Sequence, residues 1–237
     1  IGLLEEIDAK VVITHIDNSV EFSKLAKILK DKMTFVAVQN ANRGDIFENR
    51  QDNNQALYLP NFICFSKFDK ELYKKKNIKI NKFNIAGSLR NSYFDNFFKK
   101  NISNLRHDIC FVSKSLNALQ NPLMGSINYT LKLLAKYVKE NKKTILIAAK
   151  TKYNFRQEKM YKDIFFEANY KIIWADKKYN SYRAIYNSNI VIGLPSTLLR
   201  EAFIYKKKIL CCEQNQNSTK HHPFIGLNYI NNFSYSD

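Results

Sequence analysis

The segment Gly193-Leu-Pro-Ser-Thr-Leu-Leu-Arg-Glu201 gathers the residue types that hold a phosphate. Pro195 presets φ for an opening turn, while Ser196 and Thr197 offer hydroxyls beside the unpaired N–H groups of a helix start. Glu201 follows one turn later, where a carboxylate can accept hydrogen bonds from a ribose. The same residues also fit plain helix capping by Ser196. Position at the carboxyl end of a strand favours the phosphate.

A second anion-friendly group is Lys150-Thr-Lys152 with Arg156 and Glu158, whose cations could neutralise a nucleotide monophosphate or diphosphate. The alternative is a solvated, lysine-rich loop. In the first half, His15-Ile-Asp17-Asn18 closes one apolar run, and Gln39-Asn40 with Arg43 closes the next. Such groups at neighbouring strand ends could grip sugar hydroxyls, with Asp17 as general base on an acceptor hydroxyl or as a mere helix cap. Gly87-Ser88 with Arg90 makes a third strand-to-helix turn with the same two readings. His221 and His222 are adjacent and do not face one metal as an i,i+4 pair would. With no Asp-x-Asp motif either, neither a metal site nor a cofactor is expected; a nucleotide-activated sugar would be a co-substrate.

Placing these groups requires strands that end just before them. The β-branched and aromatic runs Lys10–Ile16, Met33–Val38, Asn61–Phe65 and Phe83–Ala86 read as strands, separated by helical patterns at Val20–Lys30 and Lys70–Lys75. The polar stretch Asn42–Gln55 is longer than most connections and reads as a functional loop. Helix Asn91–Lys100 and strand Asp108–Ser113 are expected to complete a first lobe, residues 1–113. Residues 114–125 carry no periodicity and read as a linker. The second lobe, 126–237, repeats the alternation with helices Tyr129–Asn141, Arg156–Glu167, Ser181–Asn187 and Thr197–Tyr205. Its strands are Thr144–Ala149, Lys171–Ala175, Ile190–Leu194 and Lys208–Cys212. Alternation of this kind implies α/β architecture with parallel sheets, and two such lobes imply a cleft between them. Every motif above falls at a strand's carboxyl end, where open α/β sheets bind ligands.

Composition bounds the partners. The chain has 237 residues, 45% of them hydrophobic, which excludes disorder. A formal net charge of +17 attracts nucleic acid, anionic lipid or phosphorylated ligands alike. An AT-biased genome would also produce this abundance of Lys, Asn and Ile. The lysines are scattered, with no recognition helix or basic-aromatic stripe, so a nucleic-acid-binding role rests on charge alone. No run approaches the ~18–20 apolar residues that span a bilayer, and no leader pattern opens the chain. A cytoplasmic protein is expected, attached to the inner face of a membrane through its lysines. Cys64, Cys110, Cys211 and Cys212 lie in apolar runs and read as small buried hydrophobes. The chain begins at Ile1 and stops at Asp237 in polar sequence, so both ends are expected to be incomplete.

Val12-Ile-Thr-His-Ile-Asp-Asn18, Val38-Gln-Asn-Ala-Asn-Arg43 and Ala86-Gly-Ser-Leu-Arg-Asn91 together resemble the bacterial surface carbohydrate biosynthesis protein family. Ala41 stands where that family has Gly. The segment Ile147–Tyr161 and the Ser196-Thr197-x-x-x-Glu201 turn are also similar to it. The last turn is shared with sialyltransferases, teichoic-acid glycerophosphotransferases and sugar-nucleotide 2-epimerases. The resemblance implies a GT-B-like glycosyltransferase with two Rossmann-like lobes, the first holding a glycan or lipid-linked acceptor and the second a nucleotide sugar, CMP-linked as a first guess. Transfer of a polyol phosphate and epimerisation of a sugar nucleotide are the alternatives.

The phosphate turn is tested by replacing Ser196 and Thr197 with Ala. Loss of a cap alone costs about 0.5–2 kcal/mol of stability and leaves nucleotide affinity per folded molecule unchanged. A phosphate site should lose affinity well beyond that in calorimetric titration, since each hydrogen bond to a charged group contributes about 1.5–3 kcal/mol. Glu201→Gln should in addition weaken the nucleoside if that carboxylate holds ribose.

Overall fold

The computed structural model describes residues 1–41, 57–74, 78–99, 106–115, 126–194, 196–213 and 230–234, with the last group and residues 126, 127 and 213 described by backbone alone. The loop expected at 42–55, Arg43, Pro195, His221, His222 and most of the expected linker lie outside the described residues. The chain forms two units, Ile1–Ser92 and Tyr93–Asp237.

The first unit comprises α1 (Gly2–Glu6), β1 (Val11–Thr14), α2 (Val20–Leu29), β2 (Thr34–Val38), β3 (Leu57–Cys64), α3 (Lys67–Lys74) and β4 (Ile78–Ile85). Its strands pair in chain order and all run parallel. Helix α2 starts where Ser19 Oγ accepts the Phe22 N–H at 3.1 Å, filling one donor that a helix start leaves open. The i, i+4, i+7 spacing of Phe22, Ala26 and Leu29 puts them on one face, buried in one core with Phe35, Ala37 and Phe62 of the sheet. Phe62 lies 4.5 Å, centroid to centroid, from Tyr73 of α3. Burying each such large side chain stabilises by about 1.5–3 kcal/mol. Helix α4 (Leu89–Phe97) then carries the chain into the second unit.

That unit runs β5 (His107–Val112), α5 (Ser126–Glu140), β6 (Thr144–Ala148), α6 (Phe155–Ile164), β7 (Asn169–Ile173), α7 (Asn180–Tyr186), β8 (Ser188–Gly193), α8 (Thr197–Glu201), a 3₁₀ turn (Ala202–Tyr205), β9 (Lys208–Glu213) and β10 (Ile230–Ser234). The sheet order is β7-β6-β5-β8-β9-β10, parallel throughout. Counted from β5 this is 3-2-1-4-5-6, the doubly wound order that binds dinucleotides where the winding reverses. Alternate residues of the central strands serve opposite faces. Ile109, Phe111, Ile145 and Ile147 join Leu131, Val138, Tyr161 and Phe165 of α5 and α6 in one core. Cys110, Val112, Leu146 and Ala148 join Ala184, Ile185 and Leu199 of α7 and α8 in the other.

The α/β expectation with two parallel sheets holds, but the expected boundary does not. Strand β5 does not close the first lobe; it is central in the second sheet, paired with β6 and β8. The alternation of strands and helices reads the same on both sides of a boundary, whereas sheet membership follows from pairing. The clue is that Ile109–Val112 is apolar at successive positions, as a strand covered on both faces must be. All four cysteines are buried, and none forms a disulfide. Burial pushes the Cys110 thiol up to about 12 and that of Cys212 to about 11. Among the described residues, no helix is long and apolar enough to cross a membrane.

Glycine allows a close approach where β8 meets β5. A Cβ on Gly193 would stand 3.0 Å from the Val112 carbonyl oxygen and 3.2 Å from its Cβ. Gly193→Val should therefore overpack the joint between the sheet's two halves, lowering stability by about 1–3 kcal/mol in denaturant unfolding.

Candidate functional site

In the second unit the crossovers leave β5 and β8 on opposite faces of the sheet, which opens a crevice at their carboxyl ends. Ser113 and Lys114 follow β5, Lys150 and Thr151 follow β6, and Ser196 lies beyond β8. Lys114 is half-buried. Burial, and next the charge of Lys150, hold its ammonium below the ordinary lysine value. A half-buried cation beside a second positive charge is relieved by an anion placed next to it.

What fixes the rim is Gln157, fully buried in the first turn of α6. Asn154 Oδ1 accepts its N–H at 2.9 Å, capping that helix. The Gln157 amide nitrogen donates to the Lys114 carbonyl at 3.0 Å and to the Tyr161 hydroxyl at 3.0 Å. Its carbonyl accepts from the Thr151 hydroxyl at 3.1 Å. Ser113 and Tyr161 share a further hydroxyl–hydroxyl bond, and Ser113 N–H donates to the Ala148 carbonyl at 3.0 Å. One side chain therefore ties together the exits of β5 and β6 and the start of α6.

The expected site residues separate into groups. Ser196 caps α8, its Oγ accepting the Leu199 N–H at 3.1 Å, and Thr197 opens that helix. Glu201 is buried and accepts from the Tyr182 hydroxyl at 2.7 Å. Lys150, Lys152 and Arg156 are exposed. Glu158 belongs to a surface cluster instead, accepting from the Tyr153 hydroxyl at 3.0 Å and pairing with Lys162 at 3.4 Å.

In the first unit the strand-end residues are mostly structural. Asp17 is fully buried: Oδ2 accepts from the Tyr73 hydroxyl at 2.5 Å and Oδ1 from the Asn40 N–H at 3.3 Å. A general base must reach the proton that it takes, and this carboxylate is spent on joining β1, β2 and α3. That corrects the expectation of a catalytic Asp17. Gln39 is likewise buried, donating to Asp69 at 2.9 Å and to the Ala41 carbonyl at 3.1 Å while accepting the Phe65 N–H at 2.8 Å. Asp69 is also held by the Ser66 hydroxyl at 2.5 Å. Arg90 is exposed and donates to Asn40, to the carbonyl and to Oδ1, the latter at 2.7 Å. Gly87 has φ +76°, a conformation glycine adopts freely, and Ser88 beyond it accepts the Asn91 N–H at 3.3 Å, capping α4. His15 is exposed and Asn18 half-buried.

Sequence reasoning missed Lys114, Gln157, Asp69 and Tyr73. Two of them carried a signal, because Asn154-x-x-Gln157 and Ser66-x-x-Asp69 have the spacing of capping boxes.

No protein-family model and no curated protein matches the sequence. Solved structures do. A candidate UDP-N-acetylglucosamine 2-epimerase from Listeria monocytogenes aligns with a TM-score of 0.60 and 13% identity, over 89% of this chain and 58% of that one. The UDP-N-acetylglucosamine 2-epimerase of Rickettsia bellii aligns with a TM-score of 0.57 and 16% identity, over 94% of this chain and 60% of that one. For the UDP-GlcNAc 2-epimerase of Methanocaldococcus jannaschii the TM-score is 0.55 and the identity 13%, over 98% and 68%. The chain is thus similar to these proteins in fold while spanning 58–68% of their lengths.

Tyr73→Phe tests the reassignment of Asp17. Removing the hydroxyl leaves a buried carboxylate short of a donor and should cost about 1–3 kcal/mol in chemical unfolding. An unchanged unfolding midpoint would show that the Tyr73–Asp17 bond does not hold this part of the fold.

Proposed function

We propose that the chain is the larger part of an enzyme acting on a nucleotide-activated sugar, a glycosyltransferase that extends a surface polysaccharide or lipid-linked glycan. The observation that carries this reading is the 3-2-1-4-5-6 order of the sheet, with Lys114 and Lys150 just past the carboxyl ends of its central strands β5 and β6. In transfer, the bond from the sugar's anomeric carbon to the donor phosphate breaks, and the nucleotide leaves with the electron pair. An acceptor hydroxyl forms the new bond and gives up its proton to solvent water. Lys114, Lys150 and the hydroxyls of Ser196 and Thr197 are the groups that would stabilise charge gathering on the leaving phosphate. Glu201, held by Tyr182, would carry the ribose hydroxyls. Asp17, committed to Tyr73 and Asn40, is not given the acceptor's proton.

A second reading, epimerisation of the nucleotide sugar itself, is favoured by what the similar solved structures are named for. It uses the same phosphate rim and needs no acceptor.

Calorimetric titration of CMP, CDP and UDP tests both. At least one should bind, and Lys114→Met should weaken it tenfold or more, since a hydrogen bond to a charged group is worth about 1.5–3 kcal/mol. Conversion of a nucleotide sugar to its epimer without acceptor would select the second reading; nucleotide release only with acceptor would select the first. Absence of binding by all three nucleotides, or affinity indifferent to Lys114, would remove the basis for either.

A further inference from the structure

A groove of about 410 Å³ runs between β7 and α7. It lies on the α7 face of the sheet, the face opposite α5 and α6. Its apolar wall includes Leu146, Ile173 and Ala184, with His107 at the amino end of the strands and Trp174 beyond their carboxyl end. Three cations line it, Lys171, Lys177 and Arg183, against one carboxylate, Asp176, which accepts the Tyr153 N–H at 3.0 Å. Burial, and then the Lys171 charge, hold His107 below its ordinary value, so at neutral pH it adds hydrogen-bonding capacity rather than charge. The guanidinium carbon of Arg183 lies 5.7 Å from the Phe98 ring centroid, and its Nε is buried without a hydrogen-bond partner.

A buried guanidinium N–H left unpaired is costly, and native structures seldom leave one without a reason. Among the described residues, none of the three cations has a carboxylate partner, so the positive field inside the groove stands unneutralised. Small-molecule sites are typically about 300–1,000 Å³, mostly apolar, with a few placed polar groups. We propose that this groove is a second ligand site, built for a small organic phosphate. Arg183 and Lys171 hold the phosphoryl group, Lys177 adds charge, and Trp174 with the apolar wall faces the organic part. Free phosphate esters and phospholipid headgroups share this chemistry. The site uses β7 and α7 rather than the exits of β5 and β8, so it stands or falls apart from the proposed donor site.

Trp174 is the chain's single tryptophan, which makes its emission a direct reporter. The probes are glycerol 3-phosphate in solution and, separately, vesicles of phosphatidylglycerol or of phosphatidylcholine. Wild type should show a saturable emission change that Lys171→Gln and Arg183→Gln each weaken at least tenfold and that Lys114→Met leaves intact. A response to glycerol 3-phosphate identifies a free ester as sufficient; a response to phosphatidylglycerol vesicles alone identifies the lipid-borne headgroup. Because Arg183 packs on Phe98, circular-dichroism melting checks that its variant folds, and Lys171→Gln, at an exposed position, decides if it does not. No saturable response to either phosphate, a response equal for phosphatidylcholine, or one that survives Lys171→Gln but is lost in Lys114→Met would overturn the proposal.

Discussion

Two parallel strands cannot be joined by a tight turn; the chain must cross back over the sheet, and it does so through a dozen or more residues that normally carry a helix. Every described pairing in both sheets of this protein is parallel. From this follow the alternation of elements, the burial of central strands on both faces, and the gathering of all strand exits on one rim of each sheet. Because crossovers are almost always right-handed, winding in one direction sends helices to one face, and reversing the direction sends them to the other. In the second unit the reversal falls between β7 and β8, which is why two cores flank that sheet and why its exits part at β5 and β8.

Strand exits are also where backbone polar groups run out of ladder partners. Both units meet that problem with a buried amide side chain whose nitrogen and oxygen are both used. Gln39 joins the exits of β2 and β3 to α3, and Gln157 joins those of β5 and β6 to α6. A side-chain amide suits the task because it donates and accepts at once without a charge to desolvate. In the second unit the exits of β5 and β6 are thereby held to each other and to the start of α6 by side-chain hydrogen bonds.

Period and punctuation made most of the fold legible. The Ser19 cap, the β-branched strands and the glycine turn at Gly87 each work locally, and the expected elements fall within a few residues of the observed ones. Two kinds of information were not local. The assignment of β5 depends on which strands it meets, including the close approach that Gly193 permits. The roles of Asp17 and Gln39 depend on Tyr73 and Asp69, which sit 56 and 30 residues further along the chain. A polar residue at a strand exit looks alike in sequence whether it greets a ligand or holds a neighbouring loop. Only burial and partners separate the two, and they move Asp17 and Gln39 to the second kind while leaving Lys150 exposed.

The four buried cysteines have a consequence for how the protein behaves as its surroundings change. The reactive form of a thiol is the thiolate, and burial disfavours it at Cys64, Cys110 and Cys212 alike. With Cys211 also enclosed, burial works against reaction of all four thiols with oxidants and alkylating agents while the chain is folded. Each thiol becomes available when its stretch of sheet opens, Cys64 with the first unit and the other three with the second. Alkylation rates at the individual cysteines are then clocks of local opening, and the natural sequence carries such clocks in both units.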